Sequence, residues 1–465
     1  MKTKLAGFNP ALISTIMALA LPTMLEQLMQ TAVQYIDMMM VGSLGTAATA
    51  AVGSTTTVNW LVGSTISALG VGFLAIIARA IGEGNRPFAK RAVGQTVMVV
   101  LVSGLTLTLI TLALSRYVPI WMQVDPSIRE LSAQYFFILY TPMLFRAASI
   151  LFGTVLRAAG DTKTPMRVGI IVNIVNVVLN FFLIFPTCTV AVFNVTFTLY
   201  GAGMGVIGAA VASAVAFAVG GILMTLAVWK HPTVSPRGCS LYPDKEVLLP
   251  CFKIALPNMF QRFGTSLGYV AFASMINSLG DVATAAHSIA NTVESAFYIP
   301  GYGMQTASAT LAGNALGQRD TKRLKELTAT IVVIEVCLMV LSGGLLFAFA
   351  PAMMAIFNKD IAVITLGAVV LRMVALSEPF YGVSIVLEGV MQGLGRTAKP
   401  FVFNIIGMWG VRIVGTFLCT QLLGLGLEAA WGCMILHNLF LFALLVIYWR
   451  SNRWNPLSEN DGEKV

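Results

Sequence analysis

The sequence predicts an all-α polytopic membrane protein with twelve transmembrane helices, arranged as two pseudo-symmetric six-helix bundles around a central cleft. Three observations predict this fold class. Charged residues make up only 11% of the chain, long stretches carry no charge, and the first half of the chain recurs in the second half. Together they indicate two copies of one helical membrane unit.

The low charge content excludes a water-soluble protein of this length. A soluble domain has about a quarter of its residues charged, whereas this chain of 465 residues is 57% hydrophobic. No Asp, Glu, Lys or Arg occurs from Val168 to Trp229 or from Met38 to Ala78. A spanning helix needs about 20 apolar residues, so each stretch has room for two helices. Membrane-barrel strands would alternate polar and apolar residues, and these stretches do not.

Twelve apolar segments are long enough to span a membrane. They lie near residues 11–41, 46–73, 92–114, 131–150, 166–186, 203–229, 251–277, 282–312, 328–350, 361–390, 401–423 and 429–449. The first segment follows Lys2 and Lys4 and is longer than the apolar region of a signal peptide, with no evident cleavage site. We therefore expect it to remain in the mature protein as the first span.

The net charge of +9 indicates membrane topology rather than nucleic-acid binding. With the N-terminus in the cytoplasm, 23 of the 29 Lys and Arg residues fall on the cytoplasmic side, including four in 146–167. Three fall on the outer side and three within spans, in agreement with the positive-inside rule. We expect a multi-pass protein of the inner (plasma) membrane, with both termini cytoplasmic and membrane lipid at its basic surfaces.

An internal repeat relates the two halves at a fixed shift of 235 positions. Residues Ala20–Met24 recur, with one change, as Ala255–Met259, and Ala48–Ala51 recur as Ala283–Ala286. After the fifth span the shift becomes 220, which places about 15 extra residues near 187–201. Chance similarity between apolar segments would not keep one register over so long a stretch.

The repeat also predicts the domains and favours a secondary transporter. We expect an N-terminal bundle at 1–235, a cytoplasmic linker at 236–250, a C-terminal bundle at 251–450 and a cytoplasmic tail at 451–465. Six spans per half is an even number, so both halves enter the membrane in the same direction. Such parallel repeats occur in transporters whose substrate lies between two rocking halves; the alternative is gene duplication without that motion.

Polar residues within the spans are candidate functional residues, because a charge at the bilayer centre costs about 2.5–3.5 kcal/mol. Asp37 lies toward the outer end of the first span, where a carboxylate can carry a proton or ligate Na⁺; the alternative is an interfacial Asp. Asn173, Asn176 and Asn180 are about one turn apart on the fifth span. They can ligate an ion, hydrogen-bond Asp37 or hold helices together.

The second half has embedded charges of its own. These are Glu294, Glu378, Glu388, Arg372 and Arg412. Glu294 and Glu378, together with Glu26 of the first span, are candidates for a second cation or substrate site, and structural ion pairing is the alternative. Glu26 and Arg262 occupy nearly equivalent repeat positions, which predicts that they pair across the pseudo-axis.

Pro22 and Pro257 fall at equivalent places inside the first and seventh spans. Each removes a backbone hydrogen bond and permits a kink. A kink between Pro22 and Asp37 would couple protonation of the carboxylate to the shape of the cleft. Kinks that are merely tolerated are the alternative.

The segments Gln34–Asp37, Val41–Gly45 and Ala50–Gly53 occur near the first span, and Leu156–Pro165 has a degenerate partner at Met391–Pro400. Together these motifs resemble the multidrug and toxic compound extrusion (MATE) transporters, in the prokaryotic DinF-like or a related branch. The resemblance covers essentially the whole chain. It implies two six-helix bundles around a cleft and antiport of H⁺ or Na⁺ against organic, often cationic, compounds.

The resemblance also implies roles for individual residues. The Asp of the first span is the family's cation site, and Asp37 matches it. The family's Asn and Asp, four residues apart on the fifth span, match Asn176 and Asn180, so that Asn replaces the Asp here. A Thr of the sixth span falls near Ser213. The Glu that Na⁺-driven, NorM-like members carry on the seventh span is absent from 261–268, and these departures favour H⁺.

We therefore expect a monomer that exports small organic, cationic compounds in exchange for H⁺, with no cofactor and no metal. The sequence has no G-x-x-x-x-G-K-[ST] motif, so an ion gradient is the expected energy source. A lipid-linked precursor flippase of the same superfamily is the alternative. An enzyme is not expected, because the three histidines are far apart, and the six scattered cysteines predict neither a metal site nor a disulfide framework.

Overall fold

The computed structural model describes residues 10–192 and 195–459, most of which are helical. Lys2, Lys4 and Lys464, which entered the predicted charge count, lie outside the described residues. The elements of the first repeat are α1 (Pro10–Gly42), α2 (Thr46–Gly82), α3 (Arg86–Leu114), α4 (Val118–Trp121), α5 (Arg129–Tyr140), α6 (Met143–Ala158), α7 (Lys163–Ile184), β1 (Pro186–Val192), β2 (Val195–Ala202) and α8 (Gly205–Lys230). Those of the second repeat are α9 (Lys245–Asn277), α10 (Asp281–Phe297), α11 (Ile299–Gly317), α12 (Thr321–Phe357), α13 (Ile361–Ala375), α14 (Glu378–Gly393), α15 (Ala398–Ile405), the π-helical segments Ile406–Ile413 and Leu418–Leu422 on either side of α16 (Val414–Phe417), α17 (Leu427–Arg450) and α18 (Pro456–Glu459).

Eight of the described helices are long and apolar enough to cross a membrane. In this count, α15, α16 and the two π-helical segments form one continuous helix, Ala398–Leu422. Two further pairs, α5 with α6 and α13 with α14, qualify as single spans bent by 49° and 55°. The remaining two predicted spans correspond to α9 and to α10 with α11, which are the repeat equivalents of α1 and α2. The structure confirms the fold class, a polytopic helical membrane protein built from a repeat.

Helix starts follow the repeat closely. Five pairs of helices begin 235 positions apart: α1 and α9, α2 and α10, α3 and α12, α6 and α14, and α7 and α15. The turns match as well, since Gly45 and Gly280 have φ of 109° and 102°, and Gly160 and Gly395 have 83° and 74°. Glycine adopts this region without a steric penalty, so the repeated glycines preserve the turn between equivalent helices.

The extra residues of the first repeat form a hairpin between α7 and α8. Strands β1 and β2 pair antiparallel, with Pro186 opposite Ala202. The hydroxyl of Thr187 donates to the carbonyl of Gly201 at 3.1 Å. This hairpin is a local exception to the all-α architecture, and it occupies the place where the repeat register changes.

The chain divides into two compact units whose bounds differ from the repeat boundary. What we call the C-terminal unit comprises the described residues of Met1–Met24, Leu74–Asn85 and Pro250–Val465. The N-terminal unit comprises Leu25–Phe73 and Arg86–Leu249. The beginning of α1 and the end of α2 thus pack with helices of the second repeat.

Small residues explain why these two helix ends belong to the C-terminal unit. A Cβ placed on Gly303 of α11 would lie 2.3 Å from Met24 Cγ, and one placed on Gly82 would lie 2.2 Å from the carbonyl oxygen of Asn314. Ile16 is fully buried in a cluster with α11 and α12. Glycines that admit a neighbouring helix at this distance are typical of membrane helix packing.

The predicted linker at 236–250 is held by α3 within the N-terminal unit. Arg91 donates to Asp244 Oδ2 at 2.5 Å and to Glu246 Oε2 at 2.9 Å. The buried side chain of Gln95 donates to the carbonyl of Tyr242 at 2.8 Å and accepts from the amide of Asp244 at 3.0 Å. These hydrogen bonds hold the linker against α3, and its residues from Lys245 onward belong to α9.

Candidate functional site

Four polar side chains converge in the N-terminal unit, at residues predicted for ion coupling. Asp37 lies on α1, Asn176 and Asn180 on α7, and Ser213 on α8. Asn180 Nδ2 donates to Asp37 Oδ1 at 2.5 Å and to Asn176 Oδ1 at 3.2 Å, and Asn176 Nδ2 donates to Ser213 Oγ at 3.2 Å. Both asparagines are buried and Asp37 is half-buried. Three helices therefore share hydrogen bonds around one carboxylate.

The Asn176 amide has a second orientation that serves this carboxylate better. Turned over, its Nδ2 donates to the two Asp37 oxygens at 2.8 and 3.1 Å, and its oxygen accepts from the Ser213 hydroxyl at 3.2 Å. Which end of an Asn amide is the oxygen and which is the nitrogen is decided from the surrounding hydrogen bonds. In this orientation an ionised Asp37 accepts N–H groups from both asparagines, and such charge-assisted hydrogen bonds are the stronger kind.

The cluster also contains an acceptor for the protonated acid. Asn180 Oδ1 is buried and has no hydrogen-bond partner within the described part of the chain. A protonated Asp37 carries an O–H that needs an acceptor, and rotation of the Asn180 amide would present this oxygen to it. The same two asparagines can therefore serve the ionised and the protonated form of Asp37 in turn.

The other predicted elements of this region take different positions. The side chain of Asn173 is half-buried and has no hydrogen bond to another described residue. Pro22 and Pro257 lie inside α1 and α9, and both helices continue through the proline. The structure thus assigns the hydrogen bonding of the cluster to Asn176 and Asn180 alone among the three asparagines.

A second group of embedded carboxylates lies in the C-terminal unit. The predicted Glu294 on α10 is buried and accepts a hydrogen bond from the Tyr298 hydroxyl. The predicted Glu378, first residue of α14, is 1% exposed, and neither of its carboxylate oxygens has a hydrogen-bond partner within the described residues. Glu335 on α12 is fully buried and equally unpartnered. The sequence analysis missed Glu335, although its place inside a span marks it as a candidate.

Two further charges of the second repeat have identifiable neighbours. Glu388 accepts hydrogen bonds from Asn404 and from Gln261 Nε2, the latter at 3.4 Å. The Arg372 side chain is exposed and lies over the Phe347 ring, 5.7 Å from its centroid. These contacts fit structural roles for both residues.

Arg412 is embedded among aromatic rings. It lies in the π-helical segment Ile406–Ile413, 3% exposed. Its guanidinium carbon is 4.1 Å from the ring centroid of Phe272 and 4.9 Å from that of Tyr269. Cation–π attraction of this kind stabilises a buried guanidinium.

Glu26 has a different partner from the predicted one. Both of its carboxylate oxygens accept from Arg157 Nη2, at 2.6 and 2.8 Å, and each of the two side chains is 18% exposed. Arg262 donates to Asn258 Oδ1 at 3.0 Å. Glu26 and Arg262 belong to different compact units, and the pairing of the two stays a prediction.

The predicted position of Arg146 is also wrong. It was counted with the charges outside the membrane, but it lies near the beginning of α6, inside the bent span. Its guanidinium donates to Asn59 and lies 4.9 Å from the ring centroid of Phe217. Residue 146 lies within the predicted span 131–150 as well as within the observed bent span, so its place in the cytoplasmic count is the error.

Comparisons with known proteins agree with the architecture. The sequence pattern of the MatE family matches residues 22–182 and 257–418, corresponding parts of the two repeats. The probable multidrug resistance protein NorM of Thermotoga maritima is 26% identical over 457 residues, covering 98% of this chain and 96% of that protein. The probable multidrug resistance protein YoeA of Bacillus subtilis is 26% identical over 435 residues, covering 92% of this chain and 90% of that protein.

A solved structure shows the same fold. The crystal structure of MATE in complex with MaL6 superposes with a TM-score of 0.87 at 21% identity, covering 96% of this chain and 97% of that chain. The family pattern matches well over half of the residues and recurs in both repeats. This protein belongs to the MatE family.

Proposed function

We propose that this protein is a secondary antiporter that exports organic, cationic compounds in exchange for H⁺ by alternating access. Membership of the MatE family, and relatives named multidrug resistance proteins, support a multidrug efflux transporter. The observation that carries the choice of H⁺ is the cluster of Asp37 with two asparagines. The protein works in the inner membrane as a monomer, with both termini in the cytoplasm, and catalyses no covalent reaction.

Asp37 is the switch of the proposed cycle. When the site is open to the outside, Asp37 takes up a proton. The amides of Asn176 and Asn180 then stop donating N–H groups to it, and an amide oxygen accepts its O–H instead. The bound compound is released. When the site is open to the cytoplasm, Asp37 loses the proton, the amides donate to the carboxylate again, and a cationic compound binds. Pro22 permits α1 to bend as these hydrogen bonds change.

The proton gradient supplies enough free energy for this task. One proton that crosses about 100 mV releases roughly 2.3 kcal/mol. That energy supports a concentration ratio of about fifty when one neutral compound leaves per proton, since each 1.4 kcal/mol is tenfold. A monovalent cation leaves against the same potential at equal cost, so its one-for-one exchange with H⁺ moves no net charge and is driven by the pH difference alone, about tenfold per pH unit.

The test is transport of a fluorescent organic cation into everted membrane vesicles, with H⁺ and Na⁺ gradients imposed separately. Wild type is compared with Asp37→Asn, and Asp281→Asn, at the exposed first residue of α10, is the matched control. We expect uptake that follows the H⁺ gradient in wild type and in the control, and no gradient-driven uptake in Asp37→Asn.

Three outcomes would change the proposal. Coupled uptake that survives in Asp37→Asn would remove Asp37 as the switch. Uptake that follows Na⁺ instead of H⁺ would overturn the coupling ion. Failure to transport any organic cation, with protein present in the membrane, would favour the lipid-linked precursor flippase.

A further inference from the structure

The guanidinium of Arg146, on α6 in the N-terminal unit, is an embedded charge that the proposed ion coupling does not use. It lies near the middle of the bent span Arg129–Ala158. An arginine at this depth is costly in a bilayer and is typically functional, and buried charges in proteins are usually paired. The groups around Arg146 therefore indicate what it can bind.

No carboxylate pairs with Arg146 within the part of the chain that the structure describes. Of the two embedded acids of the N-terminal unit, Glu26 accepts from Arg157. The other, Asp37, accepts from Asn180. The remaining acids of this unit lie at or beyond the ends of its spans: Asp125, Glu130, Asp161, Asp244 and Glu246. The charge of Arg146 thus has no counter-ion among the described residues.

Neutral groups surround the guanidinium instead. Its Nη1 donates to Asn59 Oδ1 on α2, and its carbon lies 4.9 Å from the ring centroid of Phe217 on α8. The hydroxyl of Tyr140, a fully buried residue at the end of α5, lies beside it and has no hydrogen-bond partner among the described residues. An amide, an aromatic face and an unpaired hydroxyl therefore surround one positive charge.

The edge of the guanidinium that carries Nε and Nη2 is left for a ligand. Neither nitrogen donates to a described residue, and the Arg146 side chain is only half-buried. Gly63 of α2 gives the guanidinium its room, because a Cβ at this glycine would lie 3.1 Å from Nη2. Two adjacent N–H donors of a guanidinium match the two oxygens of a carboxylate.

The second repeat fills the same place differently. It carries other residues at the positions equivalent to Asn59, Gly63 and Arg146, which are, in that order, Glu294, Tyr298 and Tyr381. There the Tyr298 hydroxyl donates to Glu294, and the Tyr298 ring packs against that of Tyr381 with 5.1 Å between centroids. The tyrosines occupy the space that the glycine leaves open in the first repeat. Only the first repeat therefore has a guanidinium at this place.

A carboxylate would complete the arrangement around Arg146. The headgroups of membrane lipids lie at the two surfaces of a bilayer, away from the middle of the span, so the carboxylate belongs to a molecule that enters the protein. We infer that Arg146 binds a carboxylate of the exported compound, next to Asn59 and Tyr140. This inference deepens the proposed function and rests on it for the source of the ligand.

The same unit also holds the carboxylate of Asp37, and α5 borders both charges. Asp37 is a charged neighbour of Tyr135 on this helix, and Arg146 is one of Tyr140. A compound that carries both a cationic group and a carboxylate would satisfy the two charges together. The substrate class is therefore amphipathic zwitterions rather than simple cations.

The test is binding of a rhodamine dye with a free benzoate group, compared with the methyl ester of the same dye, which lacks the negative charge. The full chain is held in nanodiscs of neutral phosphatidylcholine without an ion gradient, and each Kd is measured by fluorescence anisotropy. We expect wild type to prefer the free acid. Arg146→Gln should lower this preference, the ratio of the two Kd values, about tenfold to a hundredfold, because it removes hydrogen bonds to a charged group. Arg372→Gln, at an exposed arginine of α13, is the matched control and should keep the preference.

Asn59→Asp keeps the test decisive even where Arg146→Gln does not fold. The new carboxylate beside the guanidinium supplies the missing counter-ion and neutralises it. We expect the preference for the free acid to fall, and the unfolding midpoint of the ligand-free protein to rise. A preference that persists in either folded variant, or equal affinities of wild type for the two dyes, would overturn the inference.

Two further measurements separate the source of the ligand and the proposed function. Phosphatidylglycerol in the nanodisc that displaces the free acid from wild type would assign the site to a lipid headgroup and overturn the exported compound as its ligand. H⁺-driven uptake of the methyl ester into everted vesicles, without any binding preference for the acid, would overturn this inference and leave the exporter. A preference that depends on Arg146, without H⁺-driven uptake of either dye, would count against the exporter only.

Discussion

At the positions where the first repeat carries Asp37, Asn180 and Ser213, the second repeat carries Phe272, Gly415 and Cys433. The first set forms hydrogen bonds around a carboxylate. In the second set, a Cβ on Gly415 would lie only 3.1 Å from Cys433 Sγ. The Cys433 thiol therefore fills the space that the side-chain amide of Asn180 fills in the first repeat. Equivalent positions thus carry a hydrogen-bonded carboxylate in one repeat and, in the other, an aromatic ring against the Arg412 guanidinium and a thiol against a glycine.

The reverse holds for the carboxylates of the second repeat. Glu335 and Glu378 correspond to Val100 and Met143 of the first repeat, which are both buried. The repeats therefore share helix lengths, turns and register while their embedded charges have diverged. The difference teaches that the fold depends on apolar length and turn glycines, which both repeats retain, whereas the embedded polar and charged side chains differ from one repeat to the other.

The largest expected effect comes from breaking the amide contact to Asp37. Asn180→Ala removes an N–H donor from a charged group, which costs about 1.5–3 kcal/mol. We expect a roughly tenfold to hundredfold decrease in H⁺-driven uptake at a fixed gradient. The measurement is initial uptake rate in everted vesicles at several pH values.

Asn173→Ala is the matched control for this change, because it removes the same side chain from the same helix without removing a hydrogen bond. We expect Asn173→Ala to transport like wild type. Equal losses in the two variants would show that the asparagines of α7 act through helix packing and not through Asp37.

Removing one partner of the ion pair of Glu26 and Arg157 should have an effect of similar size, on stability rather than on transport. Breaking a partly buried pair by removing one partner costs about 3 kcal/mol, because the other charge is left uncompensated. The second repeat has Gln261 and Gln392 at the two equivalent positions. We expect Glu26→Gln to lower the stability of the detergent-solubilised protein, as measured by its unfolding midpoint.

The double variant of Glu26→Gln with Arg157→Gln copies the side chains of the second repeat and leaves no lone charge. It should recover most of the stability that either single change loses. A double variant that is less stable than both single variants would mean that the repeats are not interchangeable at this contact.

A smaller effect is expected from oxidation of the thiols between the π-helical segment and α17. Cys419 Sγ and Cys433 Sγ are 3.8 Å apart, so a modest side-chain rotation reaches the disulfide bond length of about 2.05 Å. We expect diamide to remove both thiols from the pool that reacts with a maleimide reagent after denaturation. Cys419→Ser should abolish this loss, whereas Cys337→Ser, exposed on α12, should not.

The smallest effect concerns Asp125, in the loop between α4 and α5. The hydroxyl and the backbone N–H of Ser127 donate to its carboxylate, at 2.6 and 2.8 Å, and lower the pKa of Asp125. Because the pKa is lower in the folded state, this contribution to stability is present above the unfolded pKa of about 3.9 and is lost as the pH falls through the folded pKa.

Ser127→Ala copies the second repeat, where Ala362 follows Asp360 by two positions. We expect its unfolding temperature to lie slightly below that of wild type at pH ~6. The gap should narrow as the pH falls below the unfolded pKa of about 3.9 and close once the pH is below the lowered folded pKa of Asp125. A gap that widens in acid would contradict this assignment.

Much of the fold could be predicted from the sequence because its signals are local or repeated along the chain. Hydropathy located the segments, and the shift of 235 predicted equivalent helices that begin at equivalent residues. Gly45 and Gly280 are equivalent under this shift, and both turns need a residue with a positive φ. The fourth and tenth spans bend at a break, which a hydropathy profile averages out.

The candidate site was only partly predictable. Asp37, Asn176 and Asn180 were found because a polar residue in an apolar helix is conspicuous and because a family pattern matched them. Glu335 was equally conspicuous, but no family motif drew attention to it. Arg157 was not predicted as a partner of Glu26, since the repeat relates positions by sequence and says nothing about which helix lies alongside.

The sequence by itself determined the membrane class, the repeat, the helix registers and the residues able to carry a charge in the membrane. Only the tertiary structure decided that Glu26 pairs with Arg157, that Cys419 approaches Cys433, and that glycines of α11 and α14 enclose Glu335. The physical reason is that helix formation and membrane insertion depend on neighbours along one segment. A buried contact depends instead on two helices meeting with matched surfaces, and those surfaces are set by small residues far apart in the chain.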